Sequence, residues 1–119
     1  MEIASIILAA GQGTRLNSAL AKPLHQIGGR PMLAWSLDAA KAAASSRVIT
    51  VVPKESDSII AWLDGQESCI QDTPKGTGHA VKAAKKQLAD FHGVALIMFA
   101  DTPLVTAKTL AALAAAVID

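Results

Sequence analysis

The sequence predicts an α/β fold, a parallel sheet flanked by helices. Three observations predict it. Short apolar runs alternate with longer stretches of helical periodicity, in the order βαβαβαβα. The runs are apolar along their whole length and not at alternate positions, which marks strands buried on both faces. Each run is followed by a helical crossover, the connection that parallel neighbours need.

The elements follow in order. Ile3–Leu8 reads as a buried strand that runs into Gly11-Gln12-Gly13-Thr14-Arg15. A loop continues through Lys22-Pro23 to Gly28-Gly29. Pro31 then opens a helix to Ala44, at a first-turn position where its missing N–H costs nothing. Met32, Leu33, Leu37, Ala40 and Ala44 recur along it at helical spacing. Arg47–Val52 is the second strand, closed by Pro53. Ser56–Leu63 is a short helix with Ile59, Ile60 and Leu63 inward. Glu67–Gln71 is a short third strand and Thr77–Leu88 a helix. Val94–Phe99 is the fourth strand, the most hydrophobic, and Ala107–Val117 the last, alanine-rich helix.

The 119 residues suffice for one domain and not two. An apolar fraction of 51% with 18% charged residues excludes a disordered chain. A net charge of +1 supplies no general field for nucleic acid or anionic membrane, so neither is an expected partner. No segment approaches the length of a membrane span. The run from Ile3 opens with Glu2 and lacks a basic leader, which makes it a poor signal peptide. The lone Cys69 suits a reducing compartment and a small core position, and the cytoplasm is the expected location.

In parallel α/β sheets ligands bind beyond the carboxyl ends of the strands. The loops after the first, third and fourth strands are the ones rich in Gly, Thr, Lys, Asp and Pro. Gly11-Gln12-Gly13-Thr14-Arg15 lets backbone N–H groups approach phosphate oxygens, and Arg15 adds a forked donor. Leu16 stands where the dinucleotide fingerprint needs glycine, and the Walker lysine is absent. A plain tight turn is the competing reading. Lys22, its backbone direction fixed by Pro23, can aim an ammonium at a phosphate; a solvated surface lysine is the bland alternative. Gln71 offers a donor and an acceptor suited to a base edge. Gly76 and Gly78 allow a flat ring to approach, and Thr77 can cap the helix. His79 reads as packed or exposed, and His25 and His92 take no assigned role. Asp101, at the end of an apolar strand, is placed to hold Mg²⁺ on a nucleotide phosphate. Helix capping is its alternative, although Thr106 does that better.

Taken together, Leu8–Leu16, Lys22–His25, Gly29–Leu33, Gly76–Ala80 and Asp101–Leu104 resemble the sugar-nucleotide pyrophosphorylases, a nucleotidyltransferase family. The Gln71–Ala80 segment is most similar to their N-acetylglucosamine-1-phosphate uridyltransferase branch. The resemblance implies a Rossmann-like sheet, the first half of a nucleotide-diphospho-sugar transferase fold. It implies attack of a sugar-1-phosphate on the α-phosphorus of UTP, with Mg²⁺ as cofactor and pyrophosphate released. Leu8, Ala9, Ala10 and Gly11 would lie against uracil, Gln71 would read its edge, and Gly76 and Thr77 would complete the base and ribose pocket. Gly13, Thr14 and Arg15 would face the triphosphate. Lys22 would neutralise charge at the α-phosphate and Asp101 would hold Mg²⁺. Domains of the family are roughly twice as long. The other half carries most of the acceptor-sugar pocket and the second protein ligand of Mg²⁺, so residues 1–119 correspond to a nucleotide-binding half. Little turnover is expected from that half alone, and the chain is expected either to self-associate through an open sheet edge or to be the ordered part of a longer protein. A molybdenum-cofactor guanylyltransferase shares the glycine loop, the Lys-Pro pair and the aspartate, and stands as the alternative. A truncated, non-catalytic nucleotide-binding protein is a second alternative.

Overall fold

A computed structural model describes residues 2–10, 22–43, 45–54, 56–72, 76–101 and 106–118. Strand β1 (Glu2–Leu8) is followed, after a 3-10 turn at Lys22–Leu24, by the two-residue strands β2 (Gln26–Ile27) and β3 (Arg30–Pro31). Helix α1 (Met32–Ala42), β4 (Arg47–Pro53), α2 (Asp57–Leu63), β5 (Ser68–Gln71), α3 (Thr77–Ala83), β6 (Gly93–Phe99) and α4 (Ala107–Ile118) complete the order. Four strands form one parallel sheet in the order β5-β4-β1-β6. The expected parallel α/β architecture is therefore present.

The chain steps outward from β1 to β4 and β5, then returns to the other side of β1 as β6. Right-handed crossovers make a reversal of direction move the connecting helix to the opposite face. The cores obey that rule. Leu33 and Leu37 of α1, Ile59 and Leu63 of α2, and Leu110 and Ala114 of α4 pack with Ile7, Val52, Leu96 and Met98 on one face. Ala80 of α3 and Ala84 just beyond it pack with Ile6, Leu8, Ile49 and Val51 on the other. β1 and β4 are thus covered on both sides, as their unbroken apolar runs require.

β6 departs from the expectation of two buried faces. Val94, Leu96 and Met98 are buried, whereas Ala95, Ile97 and Phe99 between them are exposed. The cause is topological: α3 packs over β5, β4 and β1, and β6 lies one strand further out.

Other corrections concern boundaries. Pro31 is the residue before α1, with φ −55° and ψ 143°, and not the first helical residue, because it is already paired with Gln26. α1 ends at Ala42, and Ala44 lies outside the described residues. Ile60 of α2 is exposed, and Trp62 packs on the core in its place. α3 stops at Ala83; the chain continues to Phe91 in turns closed by i→i−3 bonds, and Leu88 still reaches the core. Where the sequence predicts only loop, β2 and β3 form a hairpin. Its two turn residues, Gly28 and Gly29, have φ +62° and +81°, the pair of positive angles that a two-residue hairpin of this kind needs. Trp35 fixes the hairpin to α1 by donating from Nε1 to the Ile27 carbonyl at 2.8 Å.

Cys69 packs against the core beneath α3, as a small apolar group would. Burial, then the nearby Glu67 carboxylate, pushes its thiol up to about 11. Arg47 ties the amino ends together: its guanidinium pairs with Glu67 before β5 and donates to the Gln87 carbonyl after α3.

Gly93 is fixed by contact and not by an unusual angle. It stands opposite Glu2 in the β1–β6 ladder, and a Cβ there would lie 2.1 Å from the Glu2 carbonyl oxygen. Backbone cannot retreat as a flexible side chain can. Gly93→Ala is expected to lower stability by about 1–3 kcal/mol, as overpacking does, measured by urea denaturation; an unchanged midpoint would show that the ladder yields freely.

Candidate functional site

Because all four strands are parallel, their carboxyl ends open on one side of the domain. The register sets the levels there. Leu8 stands opposite both Val51 and Phe99, and Pro53 stands opposite Gln71. Counted two residues onward from Leu8, Val51 and Phe99, Ala10, Pro53, Gln71 and Asp101 share one level. The ladders continue past β1: Ala9 N–H donates to the Val51 carbonyl at 2.8 Å, and Ala100 N–H to the Leu8 carbonyl at 3.0 Å. Gln71 and Asp101 are three strand spacings apart, about 14 Å, with Ala10 between them.

Gln71 is 6% exposed, at the end of β5. Its Nε2 lies 2.8 Å from His79 Nδ1 and 3.4 Å from the Gly76 carbonyl oxygen. The glycine carbonyl can only accept, so the amide nitrogen faces it. An amide nitrogen can only donate, so this orientation of Gln71 calls for the His79 tautomer that accepts at Nδ1. Gly76 holds φ +95° immediately before α3, a conformation that favours glycine. Thr77 is the first residue of α3 and not its cap; the cap position is Gly76, with no side-chain hydrogen bond.

Leu8, Ala9 and Ala10 are buried. Ala9 joins the core beneath α1, and Leu8 and Ala10 join the core beneath α3. What this stretch can present to a ligand is backbone, since its side chains are committed to packing.

Asp101 is exposed just past β6, while its neighbour Ala100 is buried in the core. The capping alternative falls to Thr106, whose Oγ1 accepts from Thr109 N–H at 3.2 Å at the start of α4. Among the described residues no group of three His, Cys, Asp or Glu side chains converges on a common metal position. Lys22 opens the 3-10 turn that seats buried Pro23 and Leu24 against the domain. Gly11, Gly13, Thr14 and Arg15 lie outside the described residues.

The structure thus brings Ala10, Gln71, Gly76, Thr77 and Asp101 to one end of the sheet. Two further residues belong there. His79 holds Gln71, a role visible in the sequence only as a histidine on the helix next after the strand. Lys54 follows Pro53 at the end of β4, exposed between β1 and β5. Its place required the strand order, which residue patterns do not supply.

Residues 5–119 match the family model of the MobA-like NTP transferase domain. Among curated relatives, the bifunctional protein GlmU of Maricaulis maris is 49% identical over 109 residues, covering 90% of this chain and 24% of that protein. The GlmU of Caulobacter vibrioides is 47% identical, covering 92% and 25%. The chain spans about a quarter of the length of these relatives. Among solved structures, Rv0371c of Mycobacterium tuberculosis superposes with a TM-score of 0.84 at 22% identity, over 97% of this chain and 60% of that one. A nucleotidyl transferase from Methanothermobacter gives 0.79 at 19%, over 96% and 57%. The structures share the fold, and the family match runs almost from end to end of the chain. A parallel sheet ordered third, second, first, fourth, with Gln71 and Asp101 at its carboxyl end, is in this chain the sheet of a member of the MobA-like NTP transferase family.

Proposed function

We propose that the chain binds Mg²⁺–UTP across the carboxyl end of its sheet. It would do so as the nucleotide-binding part of an enzyme that transfers UMP to a sugar-1-phosphate, N-acetylglucosamine-1-phosphate first. The observation that carries this reading is the pairing of Gln71 with Asp101. Gln71, nearly buried, ends β5, and Asp101, exposed, follows β6, their strands three spacings apart, about 14 Å between backbones, a span suited to a base at one end and phosphates at the other. The motif resemblance and the GlmU relatives support the same direction.

In the reaction, an oxygen of the sugar phosphate attacks the α-phosphorus in line. The bond to the bridging oxygen of the β-phosphate breaks, and pyrophosphate leaves with the electron pair. Such transfers depend on positioning and charge neutralisation. Gln71 and the backbone at Leu8–Gly11 would orient the base, with Gly76 and Thr77 beside the ribose. Gly13, Thr14 and Arg15 would engage the triphosphate, and Lys22 would neutralise charge at the α-phosphate. Asp101 fits a magnesium ligand: Mg²⁺ takes one or two carboxylates, with substrate phosphates and water filling the rest, and an exposed aspartate leaves room for both. When bound, the ion supplies charge neutralisation on the phosphate oxygens. GTP is the second reading, favoured by the MobA-like description of the family model.

Calorimetric titration with UTP and GTP, with and without Mg²⁺, tests the reading. UTP is expected to bind on the order of tenfold tighter than GTP, a difference of about 1.4 kcal/mol. Mg²⁺ should strengthen UTP binding in the unmodified chain and not in Asp101→Asn. Tighter binding of GTP would favour the guanylyl reading, and a magnesium effect surviving in Asp101→Asn would remove that residue from the site.

The reading also includes the cytoplasm as location, where Cys69 stays reduced, and a homo-oligomer in solution. β6 ends the sheet among the described residues, with Ile97 and Phe99 half exposed, and such a border favours pairing with a second copy. Light scattering is expected to give at least a dimer mass; a monomer at all concentrations would contradict it.

A further inference from the structure

We propose that His79 is a positioning residue for nucleobase selection: by accepting a hydrogen bond at Nδ1 it holds the Gln71 amide in one orientation and makes it an acceptor toward the base. The inference rests on the reading that Gln71 meets the base of a bound nucleotide. A free glutamine amide discriminates poorly, because a half-turn about its last bond exchanges donor for acceptor. Gln71 is not free. Its Nε2 stands between the Gly76 carbonyl and His79 Nδ1, and both hydrogen bonds that the amide makes among the described residues run from that nitrogen. Turning the amide over would set Oε1 against the Gly76 carbonyl oxygen and would require the other His79 tautomer, protonated at Nδ1. The 2.8 Å contact to His79 is the shorter of the two and comes from a side chain, so it is the one substitution can remove.

The orientation leaves Oε1 on the side away from His79 and Gly76. On the UTP reading Oε1 meets the N3–H of uracil. Cytosine carries an unprotonated acceptor at N3, which would face Oε1 lone pair to lone pair. Without His79 the amide could turn and donate to cytosine instead. The histidine therefore governs the preference between the two pyrimidines without touching either.

Two measurements on the full chain test this. Long-range ¹⁵N–¹H spectra at neutral pH should show His79 protonated at Nε2 and bare at Nδ1; the opposite tautomer would overturn the proposal. Titration with Mg²⁺–UTP and Mg²⁺–CTP should show a preference for UTP in the unmodified chain. That preference should fall roughly fivefold to tenfold in His79→Phe, the equivalent of one ordinary hydrogen bond. It should persist in His79→Asn, whose Oδ1 can accept where Nδ1 did. His79→Leu replaces the phenylalanine variant if that one does not fold. A preference lost in Gln71→Ala but intact in His79→Phe would overturn the role of His79 and leave the nucleotide reading standing. A preference intact in Gln71→Ala, or absent from the unmodified chain, would overturn both.

Discussion

The parallel register of β1 against β6 is the constraint on which the rest of this structure depends. Seven consecutive pairs, from Glu2 opposite Gly93 to Leu8 opposite Phe99, join the two strands between which the chain reverses its direction of travel across the sheet. A slip of one residue would turn Leu96 and Met98 from the core to solvent and bring Ile97 and Phe99 inward. It would also move Asp101 off the level of Ala10 and Gln71. At Gly93 the glycine backbone lies against the Glu2 carbonyl, so a side chain at that point of the ladder would force the two strands to shift. Packing and site geometry are thus two consequences of one alignment.

The same alignment explains the division of labour between side chains and backbone. Leu8, Ala9 and Ala10 are consumed by two cores, one on each face, so the end of β1 can offer a ligand only its main chain. Polar side chains stand at the flanks of that end, Gln71 nearly buried at the end of β5 and Asp101 exposed beyond β6. The carboxyl end is thus apolar at its centre and polar at its flanks.

Much of this was legible in the sequence, and the parts that were not have identifiable causes. Unbroken apolar runs located β1 and β4, because burial on both faces removes alternation. The same inference failed for β6: Val94–Phe99 is as hydrophobic as a central strand, yet Ala95, Ile97 and Phe99 face away from the core. Composition reports how apolar a strand is and not how many helices cover it. Thr77 looked like a cap because threonine favours that position, but the positive φ just before α3 fell to Gly76. The place of Gln71 and Asp101 at the carboxyl end of the sheet is legible because a polar residue ending an apolar strand is conspicuous. The pairing of His79 with Gln71 is not legible, because the two lie eight residues apart on different elements and only the packing of α3 against β5 joins them.

The central claim is that one nucleotide spans the carboxyl end of the sheet from Gln71 to Asp101. Chemical-shift mapping of the chain with Mg²⁺–UTP tests it most directly. The account predicts perturbations at Ala10, Gln71, Gly76, His79 and Asp101, with the amino-end residues Glu2, Arg47, Glu67 and Gly93 unmoved. Perturbations centred on the amino end, or confined to one flank of the sheet, would contradict it.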